Sequence, residues 1–525
     1  MTAAIDLPTP PESIIPPPQS EPDPKRRWMM AGVLIILLAT FLRFWDVGSP
    51  TRCYFDETYY YYDARDVQVN GVESAFVVHP PVGKFLISLG LQAAGVDRNG
   101  PIEKAVIDDP HSCVESDDHP ANPEARAREA ADSWGRRLPS ALFGSLAVLM
   151  TWLAGLQLFR LKPTAALGTA LLAIDGLALT MSRISMLDIF LQFFVMAGFF
   201  ALLRDQHLLW KDVPDEMAHL DPKDVKKTPR HWLLICGLCM GLAFATKWSA
   251  AMPWGLACLW IWGSEMLRMR RLTGKWYAKF FPILGRGLFA LLFIPLFIYV
   301  FSYIGWFANW EKSSWAERHP GTVCMVQGAE PCSTGELLKA KAGAWAEEQK
   351  AIYEFHRDLE ADHTYRAPAW SWFVMSRPVA FYYEACDPED TECVVAQGNV
   401  SEVLGMGNPM IWWMALLSYP ILAYLIIRRK DWRAGLLLLF IMGQILPYFA
   451  SPRTVFIFYM TPVVPFMCLG LALIGEHFAL LRRPWVGRTI MLLAGAGFLF
   501  WAPVYYGWEI SKAWWQLLIW MPSWV

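Results

Sequence analysis

Eleven stretches of predominantly apolar residues, most of them close to the length a hydrocarbon core demands, run through this 525-residue chain. A bilayer core of roughly 30 Å takes about 20 such residues per helix, and no water-soluble fold could hide so many. Composition agrees, with 55% of residues hydrophobic and 18% charged, too little charge to clothe a soluble surface. The spans run approximately Trp28–Trp45, Leu138–Leu158, Ala165–Met181, Asp188–Leu203, Trp232–Trp248, Ala250–Met266, Phe281–Phe307, Pro409–Ile427, Ala434–Ala450, Thr454–Gly475 and Thr489–Tyr506. Thr246-Lys247-Trp248-Ser249 parts the fifth from the sixth. The predicted fold class is an all-α polytopic membrane protein of about 11 transmembrane helices.

The charges orient it. With the amino terminus cytoplasmic, the inner segments hold Lys25-Arg26-Arg27, Arg160 with Lys162, Lys223 to Arg230, Arg268 to Lys279, Arg428 to Arg433, and Arg482, Arg483 and Arg488, as the positive-inside bias requires. Residues 1–27 read as a disordered Pro-rich tail, and the first span reads as a retained anchor. Residues 28–507 form the membrane domain. Two large extracytoplasmic loops, 46–137 and 308–408, and a Trp-rich tail, 508–525, lie outside. The net charge of −2 says little about partners, because the basic residues are segregated inside; a basic nucleic-acid footprint is absent.

Six of the ten cysteines lie in the outer loops. The simplest pairing in an oxidising compartment is Cys53 with Cys113, Cys324 with Cys332 and Cys386 with Cys393, one of fifteen connectivities. Cys236 and Cys239, within a span, read as packing thiols.

Ionisable groups near lipid are expensive and usually functional. Just past the first span stand Phe55-Asp56-Glu57, followed about twenty residues on by His79-Pro80-Pro81-Val82-Gly83-Lys84. Adjacent residues point about 100° apart on a helix, so Asp56 and Glu57 are expected to do different work. The ordinary alternative is that the pair only starts the helix Thr58 to Gln68, favoured by its dipole. Lys84, a cation at a helix start, needs an anionic partner from the protein or from a substrate. Arg137, Arg183, Asp188 and Lys247 are expected at the same outer depth as Asp56, on other spans. Ion pairs within the bundle would explain them, and so would a pocket for a charged lipid headgroup.

Phe55-Asp56-Glu57, the run from His79 to Lys84, Arg137-Leu138-Pro139-Ser140, Arg183 to Asp188, Gly237 to Trp248, Tyr365 to Pro378, Gly407-Asn408-Pro409 and Pro452-Arg453 with Phe456 to Tyr459 resemble, in that order, the protein O-mannosyltransferase family. The resemblance implies the GT-C glycosyltransferase architecture, a polyprenyl-phosphate-mannose donor and a Ser/Thr-containing polypeptide acceptor. It implies Asp56 as general base, Glu57 as its partner, and Arg137 near the donor phosphate, with Arg136 standing beside it. The loop 308–408 is too short for the β-trefoil of eukaryotic members, which suits the bacterial, particularly actinobacterial, branch.

A lipid-phosphate sugar donor already carries a stabilised leaving group, so one base and one cation suffice, where a glycosidase also needs a carboxylic acid. Asp56 and Arg137 are therefore expected to converge beneath one outer hollow, with His79, Lys84, Arg183, Asp188 and Lys247 lining it. No cofactor is required, although Asp56, Glu57 and Asp188 could offer oxygen ligands to Mg²⁺ or Mn²⁺. The expected place is the plasma membrane, with the site on its extracytoplasmic side, where exported polypeptides and the export machinery are partners. The alternatives are a GT-C transferase acting on a glycolipid or cell-wall polymer, and a lipid transporter or flippase.

Overall fold

The computed structural model describes residues 25–73, 77–96, 123–313, 333–360, 362–386 and 393–524. The expected tail 1–24 and three of the loop cysteines, Cys113, Cys324 and Cys332, lie outside these residues.

The expected spans fall largely on helix, although the tenth is α-helical only from Val464, its earlier residues forming a short 3-10 turn at Ile457–Met460. α1 (Lys25–Phe44) turns Val33, Leu34, Leu37, Leu38 and Phe41 outward, a face that only lipid can cover. α2 (Glu57–Asn70) and α3 (Val82–Ala93) lie in the first outer loop, ahead of the long α4 (Pro123–Leu158). α5 (Lys162–Ala173) and α6 (Gly176–Met181) divide the third span at Asp175. The break is stabilised by that carboxylate, which accepts from the backbone of Ala178 (3.0 Å) and Asn408 (3.2 Å) and from the Trp412 indole (2.8 Å). Asp175 is thus the N-cap of α6.

α7 (Asp188–Trp210) is apolar and buried nearly all round, the mark of a central helix. It packs between α4 and α8 (His231–Phe244), and α9 (Ala251–Thr273) lies beside it. The next helical stretch, Phe280–Ser302, widens to a π turn at Phe289–Phe293 just before Pro295, which has no N–H to donate. Helices Pro409–Arg429, Trp432–Phe449, Val464–Leu480 and Trp485–Tyr506 complete the bundle. Six of the described segments are long and apolar enough to cross a membrane: Arg27–Phe44, Ala131–Leu158, Phe280–Lys312, Pro409–Arg429, Trp432–Phe449 and Trp485–Tyr506.

One element escaped the sequence reading. β1 (Val379–Ala385), β2 (Asn399–Gly405) and β3 (Ile510–Ser511) form a small antiparallel sheet in the order β1-β2-β3. Val379 pairs with Gly405, and Val400 with Ile510. The run Val379-Ala380-Phe381-Tyr382-Tyr383 has the branched and aromatic composition of a strand, but it is short beside the spans. The expected Cys386–Cys393 disulfide closes the end of this hairpin, and Cys53 is also disulfide-bonded. The Trp-rich tail is part of the same cap: Trp515 donates to Glu402, and Trp524 to the Met375 carbonyl.

Candidate active site

Two layers of charge meet where α2, α4, α7 and the end of α8 converge. The inner layer centres on Glu57, which is fully buried and accepts from both Nε and Nη2 of Arg137, each at 2.8 Å. Ser185, in the turn before α7, adds its backbone N–H at 3.0 Å, and its hydroxyl donates to the Arg136 carbonyl at 2.7 Å. Burial would raise the Glu57 pKa, but Arg137 and Arg136 overcome it and hold the carboxyl down near 2.

Arg137 spends its other donors on the carbonyls of Gly48 (3.2 Å), Pro50 (2.5 Å) and Arg52 (2.8 Å). All five N–H groups of the guanidinium are therefore engaged, and the side chain has no exposed surface. This corrects the expectation that Arg137 shares an open hollow with Asp56. Its charge is used to bind the loop 48–57 to α4, which leaves no donor for a phosphate.

Asp56 belongs to the outer layer. It occupies the N-cap position of α2 but makes no side-chain capping bond, so the helix does not consume its carboxylate. It shares its electrostatic surroundings with Asp188 and Lys247 and takes a hydrogen bond from Tyr60. Burial, reinforced by Asp188 and opposed by Lys247 and Tyr60, lifts its pKa to about 6. Asp188, the first residue of α7, is itself committed: both oxygens accept from Lys247 Nζ at 2.9 Å. The Lys247 ammonium also sits 4.9 Å from the centre of the Tyr459 ring.

Asp56 is held in place through its neighbour. Phe55 has a left-handed backbone, φ 58°, which costs a non-glycine residue energy unless its surroundings enforce it. Its ring meets His363, Phe381, Phe456 and Phe458 edge-on, with centroids 5.4 to 5.7 Å apart. Four rings from the second outer loop and from the Phe456–Tyr459 segment thus fix the orientation of Asp56.

His79 stacks on His356 with centroids 4.9 Å apart. His356 Nδ1 accepts from Arg453 (3.3 Å), so its Nε2 carries the proton and donates to the Val78 carbonyl (2.7 Å). Burial, with Arg453 next in weight, lowers the His356 pKa to about 4; burial and nearby cations, Lys247 first, hold that of His79 well below the usual imidazole value. Both rings are neutral at pH 7. Arg453 also donates to the Tyr459 hydroxyl at 3.1 Å, yet its Nε has no partner and no carboxylate lies within ion-pairing distance among the described residues. The sequence reading named Arg453 within a motif of the family resemblance but gave it no role at the site. The missed signal was its sign, a cation where positive-inside topology predicts few.

The remaining expected residues stand apart. Lys84 is buried between Asp63 (3.0 Å) and Glu73 (2.7 Å), so the protein itself supplies its anionic partners. Arg183 donates to the carbonyls of Trp45 and Asp46 and lies over the Tyr506 ring, tying α1 to the turn before α7. The motifs interlock even so. A Cβ at Gly83 would come within 2.5 Å of Leu187 Cδ2, and Val82 N–H bonds the Ala245 carbonyl at 3.1 Å, which sets the His79–Lys84 run against the turn 182–187 and Lys247. Asp56, Glu57 and Asp188 do not fit a divalent cation as placed, because Glu57 faces Arg137 and both Asp188 oxygens face Lys247.

Residues 120–308 match the family described as dolichyl-phosphate-mannose-protein mannosyltransferase, and residues 342–524 match the C-terminal four-transmembrane region of protein-O-mannosyltransferase. A polyprenol-phosphate-mannose–protein mannosyltransferase of Mycobacterium tuberculosis (strain CDC 1551 / Oshkosh) is 30% identical over 96% of this chain and 92% of its own length. One from Mycolicibacterium smegmatis (strain ATCC 700084) is 29% identical over 98% and 96%. The S. cerevisiae protein O-mannosyltransferase Pmt1-Pmt2 complex bound to the sugar donor superposes with a TM-score of 0.69, covering 95% of this chain and 93% of that one at 14% identity. That likeness is one of fold, and the fold is the expected GT-C architecture. With the family's motifs at both ends of the bundle and relatives alike along nearly all of it, the chain belongs to the protein O-mannosyltransferase family.

Proposed function

We propose that this enzyme transfers mannose from a polyprenyl-phosphate-mannose donor to Ser or Thr hydroxyls of polypeptides, inverting the anomeric carbon, with Asp56 as the general base. One observation carries the assignment of the base. Of the carboxylates in the motif regions, Glu57 is tied to Arg137, Asp188 to Lys247, and Asp63 and Glu73 to Lys84, whereas Asp56 has no ion pair within 4 Å among the described residues. It is half-buried, and its polar partner is the Tyr60 hydroxyl, not a cation.

In the reaction Asp56 takes the acceptor hydroxyl proton as the oxygen attacks the anomeric carbon. The bond from that carbon to the phosphate oxygen breaks on the opposite face, and the lipid phosphate leaves with the electron pair. Arg453 and Lys247 are the cations for the departing charge, since neither is sealed as Arg137 is, and a guanidinium fork suits phosphate oxygens. Arg137 and Glu57 act as positioning residues through the backbone of Asp56. His79, neutral and with an unpaired Nδ1, is a hydrogen-bond partner for the sugar or the acceptor. The acceptor is a polypeptide emerging at the extracytoplasmic face of the plasma membrane, which makes the export machinery a natural neighbour.

The test uses membranes carrying the full chain, a labelled donor and a Ser/Thr-rich peptide. Asp56→Asn is expected to lower peptide labelling by about 10²–10⁴, the usual contribution of a general base, with donor binding kept. Retention of more than a small fraction of transfer would remove Asp56 from its role, and label appearing in glycolipid instead of peptide would favour the other acceptor class.

A further inference from the structure

At the end of the bundle far from Asp56 lies a second concentration of charge. α9 begins next to Lys247 and runs 23 residues to Thr273, about 34 Å at 1.5 Å per residue. Beside its far end is a shallow cleft lined by Lys226, Lys227, Arg230, Arg268, Lys279 and Arg286, with Glu265. The acids there are already spoken for. Asp205 accepts from Arg230 at 2.8 Å, and Glu265 pairs with Arg230 and lies 3.7 Å from Arg268. Lys279 Nζ reaches the Val225 carbonyl at 2.9 Å, and Lys226, Lys227 and Arg286 have no carboxylate in range among the described residues. Four cations thus line one cleft without a counter-charge.

Lys279 also borders a second cleft, whose other walls are Trp276, Tyr277, Phe280, Phe281 and Pro282. These rings are not core: Trp276 is 55% exposed, Tyr277 54% and Phe281 80%. Aromatic rings settle at the membrane interface, and basic pockets at that depth take lipid headgroups. An anion-seeking cleft joined through one lysine to an open aromatic wall matches a ligand with an anionic head and an apolar tail. We infer that the Lys226, Lys227, Lys279 and Arg286 cleft, with the Trp276–Phe281 wall, binds an anionic phospholipid of the leaflet opposite the Asp56 site.

The full chain would be reconstituted in phosphatidylcholine containing a minor fraction of phosphatidylglycerol, and the phosphatidylglycerol retained after extraction counted by native mass spectrometry. The triple variant Lys226→Gln, Lys227→Gln, Arg286→Gln is expected to lose roughly tenfold or more of that retention, since each basic residue near an anionic headgroup favours it by about fivefold. A control triple on other turns of the same face, Arg428→Gln, Arg429→Gln, Arg483→Gln, removes equal charge and should lose far less; equal losses in the two triples would mean diffuse surface attraction and overturn the site. Trp276→Ala with Phe281→Ala, which alters no charge, should also lower retention, and no loss there sinks the amphiphile. Inorganic phosphate should compete only weakly. Displacement of the lipid by phosphate at comparable concentration would make the ligand a free anion and refute the proposal.

Discussion

Asp56 and Glu57 differ by one position and by about four pH units in where they titrate, the first near 6 and the second near 2. Because Asp56 must be ionised to accept a proton, transfer at saturating donor is expected to fall on the acid side with a midpoint about pH 6, read from a pH–rate profile. Asp188→Asn removes a neighbouring negative charge and should move that midpoint down; Lys247→Met removes the opposing cation and should move it up. The sign for stability runs the other way. A carboxyl whose folded pKa is raised favours the fold when protonated and loses that contribution as pH rises through about 6, so Asp56→Asn should stabilise the inactive protein at pH 7 by about 1–3 kcal/mol, seen as a higher midpoint of thermal unfolding. Glu57 has a lowered pKa, so its contribution is present above pH 4.5 and fades as pH falls towards 2. Glu57→Gln leaves Arg137 buried and unpaired, at a cost of about 3–5 kcal/mol. Arg137→Lys should impair folding and kcat with donor KM nearly unchanged, whereas Arg453→Lys should raise donor KM; the reverse pattern would return the phosphate to Arg137.

Among the structural elements, the long apolar helices were legible because period and length suffice to find them. What eluded the reading has physical causes. Asp175 breaks a span because its partners, Asn408 and Trp412, lie more than two hundred residues away. The sheet was hidden because seven-residue strands carry little periodic signal. The site motifs were visible as residues, but not which of their donors were already spent: whether protein or substrate satisfied Arg137 and Lys84 was open in the sequence, and the carbonyls of loop 48–52 with Glu57, and the pair Asp63 and Glu73, answer it. The segment Phe456–Tyr459 carried the resemblance by its place in the chain, whereas in the fold its Phe456 and Phe458 rings pack on Phe55. Phe55→Ala should therefore lower kcat by on the order of 10²-fold, as for a reacting group misplaced by about 1 Å, without abolishing donor binding in a filter assay.

On the scale of the whole molecule, the bundle separates two chemistries by the thickness of a membrane: an acid, a cation and neutral imidazoles at one end, uncompensated cations at the other. The central carboxylates are committed to arginine and lysine, so turnover is expected to survive exhaustive chelation. Loss of transfer on chelation, restored by Mg²⁺ or Mn²⁺ alone, would require Glu57 or Asp188 to leave its present partner. The clamp on Phe55 has a further consequence for synthesis of the chain. Its jaws are residues 363, 381, 456 and 458, so a ribosome that has made α1 to α9 has produced Asp56 but not the grip that aims it. Chains cut short before residue 456 are therefore expected to leave Asp56 unoriented and to show no transfer, so that glycosylation by half-built copies would be held off by the order of assembly.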